Sequence, residues 1–149
     1  MFNKEKMKAT GKVDIIIRDS EGRIKDERHI SNLVVDTGLD FIASRMAGTS
    51  DAVMSHMEVG TDNTAAAAND TTLGAAVAAS RTALTSTTVT DNAVAYVATF
   101  GAGVGGGALT EAGIFNDPSA GTMLCRTVYS VVNKGASDSM TITWTITIN

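Results

Sequence analysis

The sequence predicts a mainly β protein, built as an antiparallel β-sandwich with one short helix, and three observations lead to this fold class. The chain ends in a run in which Thr and apolar residues alternate strictly over residues 141–148, which is typical of a strand with one buried face. Several other short segments rich in β-branched residues are separated by turn sequences. Only one segment has the apolar spacing of a helix, which excludes a doubly wound parallel sheet. A sandwich with jelly-roll connections is one version of this fold.

The first part of the chain predicts a hairpin followed by the helix. Strands at 12–18 and 23–30 flank a turn sequence, and the many charges of the second strand place it at a sheet edge. The chain continues extended over 31–35. The helix is predicted at about residues 37–47, where four apolar residues follow an i, i+3, i+4, i+7 spacing: Leu39, Ile42, Ala43 and Met46. We expect this face of the helix to lie against a sheet.

The rest of the chain predicts further strands and loops. In order, these are a strand at 54–60, a long surface loop at 61–80, a hairpin of strands at 81–90 and 93–100, a glycine loop at 101–107, and strands at 109–115, 123–132 and 141–148. The long loop consists mainly of small residues, which leave little to hold it in place. The sequence therefore leaves two alternatives open: the loop is ordered before assembly, or it becomes ordered on contact with a partner.

Length and composition limit the domain organisation and the partners. A chain of 149 residues predicts one domain, and we expect a flexible N-terminal arm at residues 1–10 and a single β-sandwich domain at 11–149. Residues 50–149 hold three of the twelve Lys and Arg residues but eight of the sixteen Asp and Glu residues, so nucleic acid is not expected as a partner. No segment approaches the length of a membrane-spanning helix, so we expect a soluble protein without a membrane partner. Cys125 has no partner for an internal disulfide and predicts a buried thiol in a protein made in a reducing cytoplasm.

No motif predicts a catalytic, metal or cofactor site. The glycines of 101–106 satisfy a GxGxxG pattern after a strand, but no helix of the needed length follows, so a loop is predicted instead of a nucleotide site. His29 and His56 lack the spacing of metal ligands, and Asp62 and Asp70 lack the ordered oxygen spacing of a calcium loop. The chain is therefore predicted not to be an enzyme and to need no cofactor.

Several segments, taken in order, resemble small virion proteins of tailed bacteriophages. They are NLVVDTGLDFIA at 32–43, MEVGT at 57–61, DTTL at 70–73, TEAGIFN at 110–116, GTMLCR at 121–126 and WTITI at 144–148. Each motif is short, and it is their order that carries the likeness. The resemblance covers most of residues 32–148 and leaves 1–31 outside it.

The resemblance implies a phage virion structural protein, located in the virion after assembly in the host cytoplasm. The compact size, without heptads or repeats, favours a head decoration (cement) protein that binds the major capsid protein and further copies of itself as a homo-oligomer. A tail, baseplate or short-fibre component that binds tail proteins is the alternative. A third hypothesis, from a different class of function, is a carbohydrate-binding module. Such a module requires an exposed aromatic ring, which Tyr96, Tyr129 or Trp144 would have to supply.

The sequence also offers candidate partner-binding residues in the N-terminal arm. Two are apolar anchors and three are charge partners: Phe2, Met7, Lys4, Lys6 and Lys8. The predicted edge strand at 23–30 is a second candidate contact, because an edge strand can pair with a strand of another subunit. We expect each contact to be weak and many repeated copies to bind together by avidity.

Overall fold

The computed structural model of the chain describes residues 7–48 and 51–149 and confirms the mainly β fold. The elements are β1 (Ala9–Arg18), β2 (Ile24–Ser31), β3 (Leu33–Val34), α1 (Asp36–Met46), β4 (His56–Gly60), β5 (Thr82–Ala83), β6 (Ser86–Thr90), β7 (Ala93–Phe100), β8 (Gly107–Phe115), β9 (Met123–Lys134) and β10 (Ser139–Ile148). They form two five-stranded antiparallel sheets, as expected for a β-sandwich. Apolar residues of both sheets meet in one buried core.

The first sheet has the strand order β2-β1-β10-β7-β6. Its centre explains the alternation at the C-terminus, because Ile142 and Trp144 of β10 lie beside Ile15 and Val13 of β1 and all four side chains are buried. The Thr residues between them lie on the other face of the strand. The strict period of two therefore predicted the inward face of this strand correctly.

The second sheet has the order β3-β9-β8-β4-β5 and is covered on both faces. One face of β8 contributes Ala112 and Ile114 to the core between the sheets. On its other side, Phe115 forms a second small apolar cluster together with Val35, Leu73 and Met123. Leu73 belongs to the long loop at 61–80, so this loop acts as an outer layer over the second sheet.

The strand prediction at 81–90 was wrong in one respect. This segment forms two strands, and they belong to different sheets: β5 pairs with β4 in the second sheet, and β6 pairs with β7 in the first. The chain crosses between the sheets at this point. It crosses again after β2, β7 and β9, whereas β8 and β9 are consecutive neighbours in one sheet.

The first strand begins earlier than predicted. Ala9 and Thr10, the last two residues of the predicted arm, pair with Ile148 and Thr147 of β10. Lys8 continues the ladder, since its N–H donates to the carbonyl of Asn149 at 2.8 Å and its carbonyl accepts from the Asn149 N–H at 2.7 Å. Residues 1–6 of the predicted arm lie outside the described residues.

Helix α1 lies where it was predicted, but its buried face differs from the predicted one. Leu39 and Met46 of the predicted stripe are 46% and 79% exposed. The helix approaches β9 through Gly38, where an added Cβ would lie only 1.9 Å from the carbonyl oxygen of Leu124. Because this close backbone contact fixes the rotation of the helix, Phe41 and Ile42 pack on the core and much of the apolar stripe stays in solvent.

Candidate interaction surface

Exposed apolar side chains concentrate around α1. Met7, Leu39 and Met46 lie on one flank of the helix and Val53 and Val89 on the other; we call these five residues the α1 surface. They are five of the eight large apolar residues that are exposed in the part of the chain that the structure describes. Such a concentration is characteristic of surfaces that contact another protein.

The first flank is a shallow hollow of about 190 Å³ between α1 and the end of β10. Met7, Leu39, Ala43, Met46 and Ile148 line it. Met46 is the most exposed large apolar residue of the described chain, at 79%. A flexible methionine at the rim of an apolar hollow adapts readily to the shape of a partner.

The second flank is a groove of about 370 Å³ between α1 and strands β6 and β7. The groove is lined by partly buried residues, among them Phe41, Val94 and Tyr96, and by the exposed residues Val53 and Val89. Burial raises the pKa of Tyr96 to about 12. A third hollow, lined by Phe41 and Ile42 among others, joins the two flanks beneath the helix.

Polar groups lie beside the apolar residues of this region. Asp40 and Asp51 line a neighbouring hollow together with Thr37 and Ser44. Arg45 donates from Nη1 to the carbonyl oxygen of Asp51 at 3.0 Å, which ties the end of the helix to the chain that follows it. An apolar centre with polar groups around it is the usual layout of a protein–protein contact surface.

The structure brings one of the predicted partner-binding residues to this surface. Met7 is 69% exposed and lies beside Leu39 and Met46. Lys8 is exposed, and its backbone is committed to Asn149. Phe2, Lys4 and Lys6 lie outside the described residues. The binding role of all five stays a prediction.

The sequence did not predict most of the α1 surface, because the apolar face of the helix, which includes Leu39 and Met46, was expected to lie against a sheet. The signal that could have corrected this is Gly38 in the first turn of a helix, where glycine is unfavourable unless a close approach needs it. A helix that packs through Gly38 turns Leu39 and Met46 away from the neighbouring strand.

The second predicted contact, the charged strand, lies at a sheet edge as expected and is now β2. Its charges are largely paired within the chain. Arg28 bonds both carboxylate oxygens of Asp26, at 2.8 and 3.1 Å, and this interaction lowers the pKa of that carboxyl. Arg28 also donates to the carbonyl oxygens of Ser130 and Val131 in β9, so β2 is joined to the opposite sheet.

The long loop at 61–80 is held in place by a buried carboxylate, contrary to the expectation that little holds it. Glu111 of β8 is fully buried. Its Oε1 accepts from the N–H of Gly74 at 2.8 Å, and its Oε2 accepts from the N–H groups of Asp62 and Ala75 at 2.9 and 2.8 Å. Three backbone amides of the loop thus converge on one side chain.

Arg126 completes this anchor from β9. Its Nε donates to Oε1 of Glu111 at 3.0 Å, and its Nη1 donates to Oδ2 of Asp70 at 2.9 Å. Asp62 lies 3.6 Å from Nη2, and hydrogen bonds from Thr64 are the main cause of its lowered pKa. Asp62 and Asp70 therefore hold the loop to Arg126, and the loop is packed within the single chain.

The residues considered for chemistry are placed apart from one another. Nδ1 of His29 lies 2.6 Å from Oδ1 of Asp14 in the first sheet, whereas Nδ1 of His56 lies 2.7 Å from Oγ of Ser55 near the second. Cys125 is buried in the core, and burial raises the pKa of its thiol well above the ordinary value. The described residues contain no group of three side chains arranged to bind a metal ion. The glycine segment at 101–106 connects β7 to β8 directly, without a helix.

The aromatic rings are mostly buried. Trp144 is fully buried, as its place in the alternation predicted, and Tyr129 is 8% exposed with its hydroxyl donating to the carbonyl oxygen of Glu111. Tyr96 is half-buried in the groove beside α1. Neither Trp144 nor Tyr129 is available as an exposed platform for a sugar ring.

Comparison of the chain with known proteins identified no relative. No protein-family model matches the chain, and searches of curated proteins and of solved structures found no significant similarity. Within 7–48 and 51–149, no helix is long and apolar enough to cross a membrane.

Proposed function

We propose that this chain is a structural protein of a tailed-phage virion, and that it is a decoration protein that stabilises the head by binding across capsid subunits. The observation that carries the proposal is the α1 surface, a concentration of exposed apolar side chains on a single β-sandwich. Its apolar residues gain about 25 cal/mol for every Å² that a partner removes from water. The ordered likeness of residues 32–148 to virion proteins supports the same function.

The hydrogen bonds that anchor the long loop to the second sheet suit this role. A decoration protein must hold its contact residues in fixed positions on a lattice, and here the loop at 61–80 is fastened by Glu111 and Arg126 within the chain. The exposed apolar groups then sit on a preorganised scaffold, and little ordering entropy is lost on binding. Many equal copies convert a modest single contact into firm attachment.

Binding to virus particles that lack the chain tests the proposal. We expect purified protein to bind such particles, and Leu39→Glu or Met46→Glu to reduce binding at least about tenfold, because each places a charge in an apolar contact. Val131→Glu is the matched control, since Val131 is exposed to 47% on β9 and lies outside the α1 surface. Equal binding by the wild type and both α1 variants would contradict the proposal.

The N-terminal arm needs a separate variant. Deletion of residues 1–6 leaves Lys8 and β1 in place, whereas deletion of residues 1–10 would remove two residues of β1. We expect the shorter deletion to weaken particle binding while the unfolding transition stays unchanged. Particle binding that is unaffected by this deletion would remove the arm from the proposal.

A further inference from the structure

The two sheets have four edge strands, and three of them are protected against pairing with another chain. β3 and β5 are each two residues long. β2 is longer, but it carries the run Lys25–His29 of charged or titratable residues. Short length and charge are the usual means by which natural proteins keep sheet edges from pairing.

The fourth edge, β6, lacks this protection. It runs from Ser86 to Thr90, has the sequence STTVT without charge, proline or glycine, and all five residues are exposed. Within the described part of the chain its only strand partner is β7, so its outer edge presents unpaired backbone groups. The other three edge strands are short or charged, so β6 is the edge strand best able to pair with a strand of another chain.

The sequence of β6 fits a second copy of itself. In an antiparallel pair centred on Thr88, Thr88 faces Thr88 of the second copy and Thr87 faces Val89. No like charges meet in this register. Thr pairs and Thr–Val pairs are favourable cross-strand neighbours.

The surroundings of β6 favour the same partner. Thr87 and Val89 line the groove beside α1, and Val89 is 70% exposed. A two-fold axis through the β6 pair places the grooves of the two copies side by side on one face of a continuous ten-stranded sheet. Val89 of each copy then becomes covered, so the dimer uses one residue of the α1 surface, whereas the capsid contact tested above uses Leu39 and Met46 on the other flank of α1.

We propose that β6 is a self-association edge, and that two copies of the chain form a dimer through antiparallel β6–β6 pairing. The dimer forms in the free protein, with no virus particle present. Its test is thereby independent of the virion role proposed above, and either proposal can fail while the other stands.

Sedimentation velocity over a range of concentrations tests the dimer. We expect a species of twice the 15.4 kDa chain mass, and we expect Thr88→Lys to weaken it at least about tenfold because two ammonium groups then face each other. Val131→Lys is the matched control on β9, and near-ultraviolet circular dichroism establishes that each variant is folded. A monomer at every concentration, or a dimer that Thr88→Lys leaves unchanged, overturns the proposal.

Two further variants test the register. Directly opposed residues of an antiparallel pair have Cα atoms about 4.5–5.5 Å apart, within the range that a disulfide spans. Thr88→Cys should therefore give a covalent dimer under mild oxidation, whereas Val131→Cys should not; the native thiol of Cys125 is buried and does not interfere. A mixture of Thr88→Lys and Thr88→Glu chains should restore dimers, and failure of both experiments contradicts pairing centred on Thr88.

Discussion

Glu111 shows at the scale of single residues how one side chain organises a long loop. It is fully buried and accepts four hydrogen bonds, three from backbone amides of the loop and one from Arg126. A buried carboxylate is costly unless it is paired and hydrogen-bonded, and here both conditions are met. The loop at 61–80 therefore depends on Glu111 more than on its own small side chains.

Replacing Glu111 tests this dependence. Glu111→Gln should lower the free energy of unfolding by about 3 kcal/mol. Arg126 then loses its fully buried charge partner and keeps only the partly exposed Asp70 and Asp62, and the new amide hydrogens face the N–H donors of the loop. Urea denaturation measures the change. The control is Glu21→Gln, which breaks an exposed pair with Arg23 and should cost less than about 1 kcal/mol. Equal stability of the two variants would contradict the anchoring role of Glu111.

His29 gives a pH-dependent contribution in the first sheet. The hydrogen bond that its Nδ1–H donates to Asp14 is the main cause of its raised pKa, with Glu27 acting in the same direction and Lys12 opposing it. A raised folded-state pKa means that the stabilisation is fully present below about pH 6.5, the unfolded value, and is lost as the pH rises through the folded value.

The variant His29→Gln should remove this dependence. The stability difference between wild type and variant should be larger at about pH 5.5 than at about pH 8. Denaturant unfolding at both pH values measures it, and parallel pH profiles of the two proteins would show that the pair with Asp14 contributes nothing. His56→Gln serves as the control on the other histidine.

At the scale of elements, the position of α1 depends on one glycine. An added Cβ at Gly38 would meet the Leu124 carbonyl carbon at 2.7 Å as well as its oxygen at 1.9 Å. Backbone atoms of a central strand cannot move aside, so the helix must shift. The exposure of Leu39 and Met46 follows from the same contact.

We expect Gly38→Ala to destabilise the protein by about 1–3 kcal/mol, although Gly→Ala in a helix is ordinarily stabilising. Thermal unfolding measures the change, with Gly101→Ala as control because an added Cβ there meets nothing within 4 Å. A stabilised Gly38→Ala variant would mean that α1 does not pack against β9 as described.

The elements also show how far the sequence determines the fold. Alternation located the inward face of β10, and turn residues located the hairpin of β6 and β7, because both signals are local. The change of sheet between Ala83 and Ser86 has no local signal, since either sheet accepts Thr and Ala. The rotation of α1 and the burial of Glu111 were also missed, because they depend on residues distant in the chain, Leu124 and Gly74.

At the scale of the whole molecule, the sandwich carries the exposed apolar α1 surface and, at one edge of the first sheet, the charged and internally paired strand β2. This asymmetry fits a protein with a defined contact face. The proposed virion role rests on the ordered resemblance of residues 32–148 and on the α1 surface together. A head decoration protein and a tail component would both bind virion proteins through such a contact surface. They differ in the number of copies per particle and in location.

The most direct test of the proposed virion role is to count the copies of this chain relative to the major capsid protein, by quantitative mass spectrometry of purified virions. A decoration protein that binds throughout the head lattice predicts a near-equimolar ratio. A few to a few dozen copies per particle would place the chain on the tail or fibres and contradict the decoration role. Absence from the particle would contradict the virion role altogether.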